Sequence, residues 1–172
     1  MQSPEVSDLD EIYTLKSSEV TFYSHAPLED IKATSTKLRA ALNIESGQLL
    51  FIMPINSFEF KKSLMQKHFN EQYLESDQYP EAKFEGRFRE SPLDFEKSEE
   101  FGFDGMLTIH GVQRRISGTA NLEKDGQIIY GESMIEVKLE DYKIKIPRMV
   151  IKNIAELVEV SIHVQFIQSS NK

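Results

Sequence analysis

The chain has 172 residues, of which 40% are hydrophobic, and it contains eleven Phe, six Tyr and no Cys. This length and composition fit one globular domain with a sizeable core, and the lack of Cys excludes disulfides, thiolate zinc sites and cysteine nucleophiles. The formal net charge of −8 argues against binding to nucleic acid or to anionic lipid headgroups, because both require a basic surface.

Residues 1–11 are polar and acidic, and we expect them to form a flexible tail before a single domain over residues 12–168. No segment approaches the roughly 20 consecutive apolar residues of a membrane-spanning helix. The first residues also lack the basic and apolar pattern of a secretory leader. The sequence therefore predicts a domain without a membrane span.

The first half of the domain alternates between predicted strands and one helix. Residues 11–25, 30–42 and 48–56 read as strands, although "TSTKLRAALNI" fits a helix equally well. From Phe58 to Glu75 the apolar residues recur every three to four positions, which predicts a helix that Ser57 caps. Its apolar face would contain the side chains of Leu64, Met65, His68, Phe69 and Tyr73. Pro80 then forces an extended chain.

The second half is dominated by strict alternation, which is typical of half-buried strands. One face of successive strands would contain Phe101, Phe103, Gly105, Leu107 and Ile109, then Val112, Arg114, Ile116, Gly118, Ala120 and Leu122, and finally Val158, Val160, Ile162, Val164 and Phe166. Asp125-Gly126 predicts a hairpin, as does His110-Gly111. A short helical turn is expected near Lys152 to Ala155, after Pro147.

Motifs for catalysis or metal binding are missing from the sequence. It has no G-x-S-x-G motif and no glycine-rich phosphate loop, and its four His match no zinc-binding spacing. The 28 acidic residues are too many for any pair to stand out as a catalytic one. We therefore expect a protein that is not an enzyme, with no catalytic residue, metal or cofactor.

Five polar side chains need an interpretation, and the sequence leaves two possibilities open for His110 and for Arg114. His110 either shapes its hairpin or contacts a ligand, and Arg114 either binds a ligand headgroup or pairs with an acidic residue on a neighbouring strand. His68 is expected to be partly buried and hydrogen-bonded. His163 lies on the polar face of its strand and is expected in solvent, and His25 is expected to be structural or solvated.

Several stretches, taken in order, resemble the YceI-like family. They are "YTLKSSEVTF", "SDQYPEAKFEG", "GMLTIHGVQRRI" and "VEVSIHVQF", and together they extend from Ile12 to Phe166. The resemblance implies an all-β fold, namely an extended eight-stranded antiparallel lipocalin-like barrel with one helix inserted mid-chain. It also implies a periplasmic or secreted bacterial protein that holds polyisoprenoids or other long-chain amphiphiles inside the barrel.

An eight-stranded barrel is wide enough to be filled by side chains or to hold one small ligand. The inward positions of Gly105, Gly118 and Ala120 are expected to leave a channel, unless the glycines mark strand bending. The inner apolar faces fit a solid core and a tunnel lining equally well. We expect the ligand to be bound by Phe22, Phe51, Met65, Phe69, Phe84, Phe103, Leu107, His110, Arg114, Met134, Val160 and Ile162.

The function expected from these residues and from the resemblance is the binding, carriage or storage of a long-chain amphiphile without a reaction. Its ligand would be a polyisoprenoid, an isoprenoid quinone or a fatty acid derivative. Two alternatives remain: an enzyme that acts on a lipid-like substrate in the same cavity, and a protein-interaction module without a cavity. The sequence leaves a homodimer open.

Overall fold

The computed structural model describes residues 11–24, 31–145 and 157–169. The strands are β1 (Ile12–Ser24), β2 (Ile31–Ser35), β3 (Arg39–Asn43), β4 (Gln48–Pro54), β5 (Glu59–Phe60), β6 (Glu81–Phe88), β7 (Glu100–Ile109), β8 (Val112–Asp125), β9 (Ile128–Lys138) and β10 (Leu157–Gln168). One helix, α1 (Ser63–His68), continues into a π-helical turn, Phe69–Tyr73. Two 3₁₀ turns span Ile55–Ser57 and Leu139–Tyr142. The expectations for residues 1–10, for His25 and for Lys152 to Ala155 lie outside the described residues.

The strands form one antiparallel sheet that closes on itself, because β10 pairs with both β9 and β1. Two of the barrel strands are interrupted. β1 pairs with β2 along one half and with β3 along the other, so β2 and β3 are two parts of one barrel strand. In the same way β5 extends β4 and pairs with β2. The predicted eight-stranded lipocalin-like barrel is confirmed.

The hairpin between β7 and β8 is built from two residues in the left-handed region, with φ of 55° at His110 and 73° at Gly111. A two-residue turn with two positive φ angles matches the right-handed twist of the flanking strands. Glycine adopts this conformation without strain, whereas His110 must be held in it by its surroundings. The predicted turn is confirmed, and His110 shapes it.

The helix prediction is wrong at its start, whereas the helical segment ends at Tyr73, close to the predicted end. Glu59 and Phe60 form β5, where Phe60 pairs with Ala33, and the α-helix begins only at Ser63. Ser57 does not cap the helix, because its hydroxyl donates to the Pro54 carbonyl oxygen at 2.6 Å. Pairing with the sheet therefore overrides the helical periodicity over the first residues.

Leu64 was expected on the buried face of the helix, but it is 64% exposed. The short α1 turns only one face towards the barrel, and Met65 and Phe69 occupy that face. Leu64 lies beside them in the sequence but on the solvent side of the helix.

The half of the barrel that contains the β8–β9 hairpin has a solid core. Tyr13, Leu42, Phe101, Ile129 and Phe166 are each at most 2% exposed there. The rings of Phe88 and Phe101 pack edge to face with centroids 6.2 Å apart. The apolar void that the described residues enclose in this half measures about 40 Å³, so side chains fill most of the interior there.

Glycines on the inner face make room for aromatic rings. Gly86 and Gly105 lie opposite each other on β6 and β7, and a Cβ on Gly105 would lie 2.6 Å from Cζ of Phe84 and 2.5 Å from the carbonyl oxygen of Glu85. A Cβ on Gly118 would lie 2.6 Å from Cζ of Phe103. The prediction that Gly105 and Gly118 leave a channel is therefore wrong, because two phenylalanine rings fill that space.

An ion pair on the outer face joins the end of β6 to β7. Arg89 donates to both carboxylate oxygens of Asp104, from Nε at 2.8 Å and from Nη2 at 3.1 Å. The Ser117 hydroxyl on β8 also donates to this carboxylate. Hydrogen bonds from Arg89 and Ser117 stabilise the charged form, so the pKa of Asp104 lies far below its usual range. This cluster holds together β6 and β7, which carry Phe84 and Phe103, and β8, which carries Gly118.

We predict that Gly105→Ala lowers the free energy of unfolding by about 2 kcal/mol, because the new methyl group meets backbone as well as the Phe84 ring. Gly102→Ala is the matched control on the same strand. Its Cβ would meet only the half-exposed Arg89 side chain and no backbone, so its effect should stay below about 1 kcal/mol, the contribution of one exposed ion pair. Urea unfolding measures both variants, and equal losses would contradict the packing role of Gly105.

Candidate ligand-binding site

The half of the barrel that α1 covers is hollow. It contains a cavity of about 220 Å³ whose lining is almost wholly apolar. The lining includes Val20, Phe22, Leu38, Phe51, Met53, Ile55, Phe58, Phe60, Met65, Phe69, Tyr73, Leu74, Phe84, Phe103, Leu107, Ile109, Ile116, Ile135, Val137, Leu139, Ile144, Val158, Val160 and Ile162. A cavity with such walls is suited to hydrocarbon rather than to water, since water needs polar partners.

The floor of the cavity separates the hollow half from the solid half. Phe51, Phe103 and Ile162 border both the 220 Å³ cavity and the 40 Å³ void below it. The rings of Phe84 and Phe103 pack edge to face across the floor, with centroids 5.6 Å apart. Because Gly86, Gly105 and Gly118 accept these two rings, the glycines of the sheet determine where the cavity ends.

We call α1 and the π-helical turn that follows it the roof of the cavity. A group of four phenylalanines holds this roof to the barrel wall. Phe22 of β1 stacks on Phe69 with ring centroids 5.2 Å apart, and it meets Phe58 and Phe60 edge to face at 5.3 and 5.4 Å. Such aromatic pairs are worth about 0.5–1.5 kcal/mol beyond the area that they bury. The group attaches α1 to β1 while leaving the space beneath it open.

The π-helical turn places three buried side chains over the cavity. The amide of Leu74 donates to the carbonyl oxygen of Phe69 at 2.8 Å, which adds one residue to the turn. As a result Phe69, Tyr73 and Leu74 are all less than 10% exposed and all line the cavity. Burial raises the pKa of the Tyr73 hydroxyl, so it stays neutral.

A group of hydrogen-bonded side chains lies at the rim of the cavity. We call Glu75, Tyr79, His110 and Tyr142 the rim cluster. His110 Nε2 lies 2.7 Å from Oε1 of Glu75, and Nδ1 lies 3.1 Å from the carbonyl oxygen of Tyr142. The ring of Tyr79 packs edge to face on the imidazole at 4.7 Å. Both ring nitrogens therefore lie within hydrogen-bond distance of an oxygen atom, one of a carboxylate and one of a backbone carbonyl.

The rim cluster joins three segments that border the cavity. Glu75 follows Leu74, His110 follows Ile109, and Tyr142 lies between Leu139 and Ile144, and these apolar neighbours all line the cavity. Burial and the nearby Asp141 raise the pKa of Tyr142. The cluster thus fixes the chain after the π-helical turn, the β7–β8 hairpin and the second 3₁₀ turn relative to one another.

The sequence matches the model of the YceI-like domain over residues 13–166. The chain belongs to the YceI-like family. No curated protein sequence matches it significantly.

Three solved structures have the same fold as this YceI-like barrel. BcnA of Burkholderia cenocepacia has a TM-score of 0.76 at 14% identity, over 86% of this chain and 95% of that one. A polyisoprenoid binding domain from Saccharophagus degradans, implicated in plant cell wall breakdown, has a TM-score of 0.74 at 15% identity, over 91% and 98%. The YceI protein of Campylobacter jejuni has a TM-score of 0.68 at 16% identity, over 85% and 90%.

The structure brings together most of the side chains that the sequence assigned to ligand binding. Phe22, Phe51, Met65, Phe69, Phe84, Phe103, Leu107, Val160 and Ile162 all line the cavity of this YceI-like barrel. Three expected residues, Met134, Arg114 and His110, do not line it.

Met134 was assigned to the wrong face of β9. It pairs with Ser161 on the outside of the barrel and is 60% exposed, whereas Ile135 and Val137 line the cavity. Successive side chains of a strand point to opposite faces, so a shift of one position reverses the assignment.

Arg114 and His110 act at the rim rather than in the cavity. Arg114 Nη2 lies 2.9 Å from Oδ1 of Asp141, and half of the Arg114 side chain is exposed. The alternative of an acidic partner therefore describes it, although the partner is in a 3₁₀ turn and not on a neighbouring strand. The imidazole of His110 is only 10% exposed, and protein groups occupy both of its nitrogens.

Two other histidines, His163 and His68, lie outside the rim cluster, and their exposure agrees with the predictions. The side chain of His163 is 60% exposed, as its place on the polar face predicts, and it lies 3.7 Å from Glu132. His68 is partly buried.

The described part of the chain contains no group of three His, Cys, Asp or Glu that is able to hold a metal ion. No helix among the described residues is long and apolar enough to cross a membrane.

Some functional positions were missed. Phe58 and Phe60 alternate in "FEFKK", which signals a strand, but the helical pattern that follows concealed this signal. The rim cluster joins residues 35 and 32 positions apart in the sequence. No local pattern connects them, so only the structure reveals that they meet.

We predict that His110 and Glu75 are energetically coupled. His110→Asn and Glu75→Asn keep a residue type that tolerates positive φ, so the backbone stays comparable. A double-mutant cycle by urea unfolding should give a coupling of about 1 kcal/mol, because a charge-assisted hydrogen bond is lost. Additive losses would show that the contact contributes nothing measurable to the rim.

Proposed function

We propose that this YceI-like protein binds the hydrocarbon tail of a long-chain amphiphile in the barrel cavity and carries or stores it without a reaction. The ligand class is a polyisoprenoid, an isoprenoid quinone or a fatty acid derivative. The observation that carries the proposal is the 220 Å³ cavity with its almost wholly apolar lining. The structurally similar domain from Saccharophagus degradans, which is described as polyisoprenoid binding, supports it.

The volume of the cavity limits the tail length. A cavity of about 150 Å³ holds the six carbons of benzene, so about 220 Å³ holds on the order of nine carbons, or about two isoprene units. Each buried methylene contributes roughly 0.8 kcal/mol, so such a tail gains about 7 kcal/mol before the cost of association. A longer polyisoprenoid must leave its remaining units outside the cavity or displace the roof.

Among the described lining residues, the polar headgroup finds no charged partner that lacks an ion pair. Lys83 is the charged residue of the lining, and its Nζ pairs with Oε1 of Glu85 at 2.5 Å in a half-exposed position. Ser24 is 2% exposed and already has a partner. We therefore place the headgroup at the rim, in water, where it contributes orientation more than affinity.

The lack of an acid–base pair in the cavity wall favours carriage over catalysis. An enzyme acting on the bound tail needs a nucleophile or a titratable pair within hydrogen-bond reach of its substrate. The described lining residues include no His, Asp or Glu. By resemblance to the YceI-like family we also propose a periplasmic or secreted location.

Native mass spectrometry of the freshly purified protein tests the proposal. We expect a bound mass that organic extraction recovers as a long-chain amphiphile, and uptake of added farnesol by the emptied protein. A clean extract together with no uptake of farnesol would overturn the proposal. The same spectrum reports the oligomeric state and so decides whether the homodimer exists.

We predict that Ile135→Trp weakens tail binding while Met134→Trp leaves it intact. Ile135 lines the cavity, and its neighbour Met134 is 60% exposed on the outside. An indole inside the cavity displaces at least two methylenes of the ligand, so the affinity should fall at least about tenfold. Fluorescence titration with farnesol measures the affinity of each variant.

Thermal unfolding separates this effect from damage to the fold. The indole of Ile135→Trp enters empty space, so its melting temperature should not fall below that of Met134→Trp by more than a few degrees. Equal affinities of the two variants for farnesol would place the ligand elsewhere than in the cavity.

A further inference from the structure

The roof segment has a charge opposite to that of the rest of the chain. Residues 60–70 contain three Lys and no acidic residue, whereas the whole chain has a formal net charge of −8. The nearest acidic residues in the sequence are Glu59 and Glu71, which flank this stretch. The overall charge disfavours contact with an anionic surface, but this local charge favours it.

The basic side chains of this segment surround an exposed leucine. We call Lys61, Lys62, Leu64 and Lys67 the basic tip. Leu64 is 64% exposed, and all three lysines are exposed. Neither Lys61 nor Lys67 forms an ion pair with any residue in the described ranges. A large exposed apolar side chain beside two lysines without an ion pair, Lys61 and Lys67, is the combination that contacts the interface of an anionic membrane.

The opposite face of the same segment forms the roof of the cavity. Met65 and Phe69 alternate with Leu64 and Lys67 along the chain and line the cavity, while Leu64 and Lys67 are exposed to solvent. A surface that Leu64 contacts is therefore separated from the cavity by the thickness of one short helix. This arrangement brings the source of a lipid tail next to the space that accepts it.

We propose that the basic tip docks on the surface of an anionic phospholipid bilayer, with Leu64 entering the headgroup region and the lysines contacting phosphates. Docking rests on the exposed side chains and not on the proposed ligand. Loading of a tail from the bilayer is the part that rests on the proposed function. Each lysine near an anionic surface strengthens binding about fivefold, so Lys61 and Lys67 together give on the order of twentyfold.

Co-sedimentation with vesicles tests docking on the protein without added ligand. The probes are vesicles of pure phosphatidylcholine and vesicles of equal parts phosphatidylcholine and phosphatidylglycerol. We expect binding to the anionic vesicles only, and weakening as salt is raised, because salt screens exposed charges. The charge-reversed variant Lys61→Glu/Lys67→Glu should lose at least about twentyfold in vesicle affinity, and Leu64→Ser should lose about tenfold.

A matched charge reversal at the other end of the barrel is the control. Lys16 and Lys124 are exposed and lie near the β8–β9 hairpin, away from the cavity. Lys16→Glu/Lys124→Glu changes the net charge by the same amount as the tip variant and should lose far less vesicle affinity. Farnesol binding in solution should stay unchanged in both variants, because neither alters a lining residue.

Three outcomes overturn the proposal. They are equal binding of the native chain to both kinds of vesicle, equal losses in the tip and control variants, and a change of oligomeric state in the tip variant with vesicle binding intact. The last would make this face an interface between two copies. Docking without farnesol uptake would leave docking supported and refute the proposed ligand, so the two proposals fail separately.

Discussion

The function that we propose depends on one packing constraint, the fit of two phenylalanine rings over three glycines. Phe84 lies over Gly86 and Gly105, and Phe103 lies over Gly118. These contacts fix a floor across the barrel, since the rings can neither move into the sheet nor rotate into the solid core. The half of the barrel below the floor, at the β8–β9 hairpin, has a packed core, and the half above it, under α1, contains the cavity. A larger residue at any of these glycines would move the floor upwards into the cavity.

The hollow half needs other sources of stability. Cavity walls lose the dispersion contacts that a filled core provides, so a barrel that is open at one end tends to collapse or fray there. The phenylalanine group around Phe22 holds the roof, and the rim cluster holds three connections at the mouth. Glu75, His110 and Lys143 also have positive φ angles of 49°, 55° and 54°. Backbone strain from positive φ angles thus occurs at the mouth of the barrel, where hydrogen bonds hold the chain.

The sequence predicted the features that follow from local periodicity. Alternation identified the strands and most of the inward faces, and the His110-Gly111 and Asp125-Gly126 pairs located two hairpins. The sequence-based predictions were wrong where tertiary contacts determine the position of a side chain. The register of β9 put Met134 outside, sheet pairing took Phe60 out of the helix, and ring packing reversed the meaning of Gly105 and Gly118. None of these contacts is encoded within a few residues of the side chain that it affects.

The two halves of the barrel therefore have different roles: one half stabilises the fold, and the other half contains the cavity of the proposed function. The solid half, with Tyr13, Phe101 and Phe166 almost fully buried, supplies the free energy that keeps the sheet closed. This surplus allows the other half to keep an apolar space that a core would otherwise fill. The roof over that space is short and joined mainly by aromatic packing, which is adaptable, whereas the floor is joined by contacts with backbone, which is not. A tail that outgrows the cavity will consequently displace α1 before it displaces Phe103.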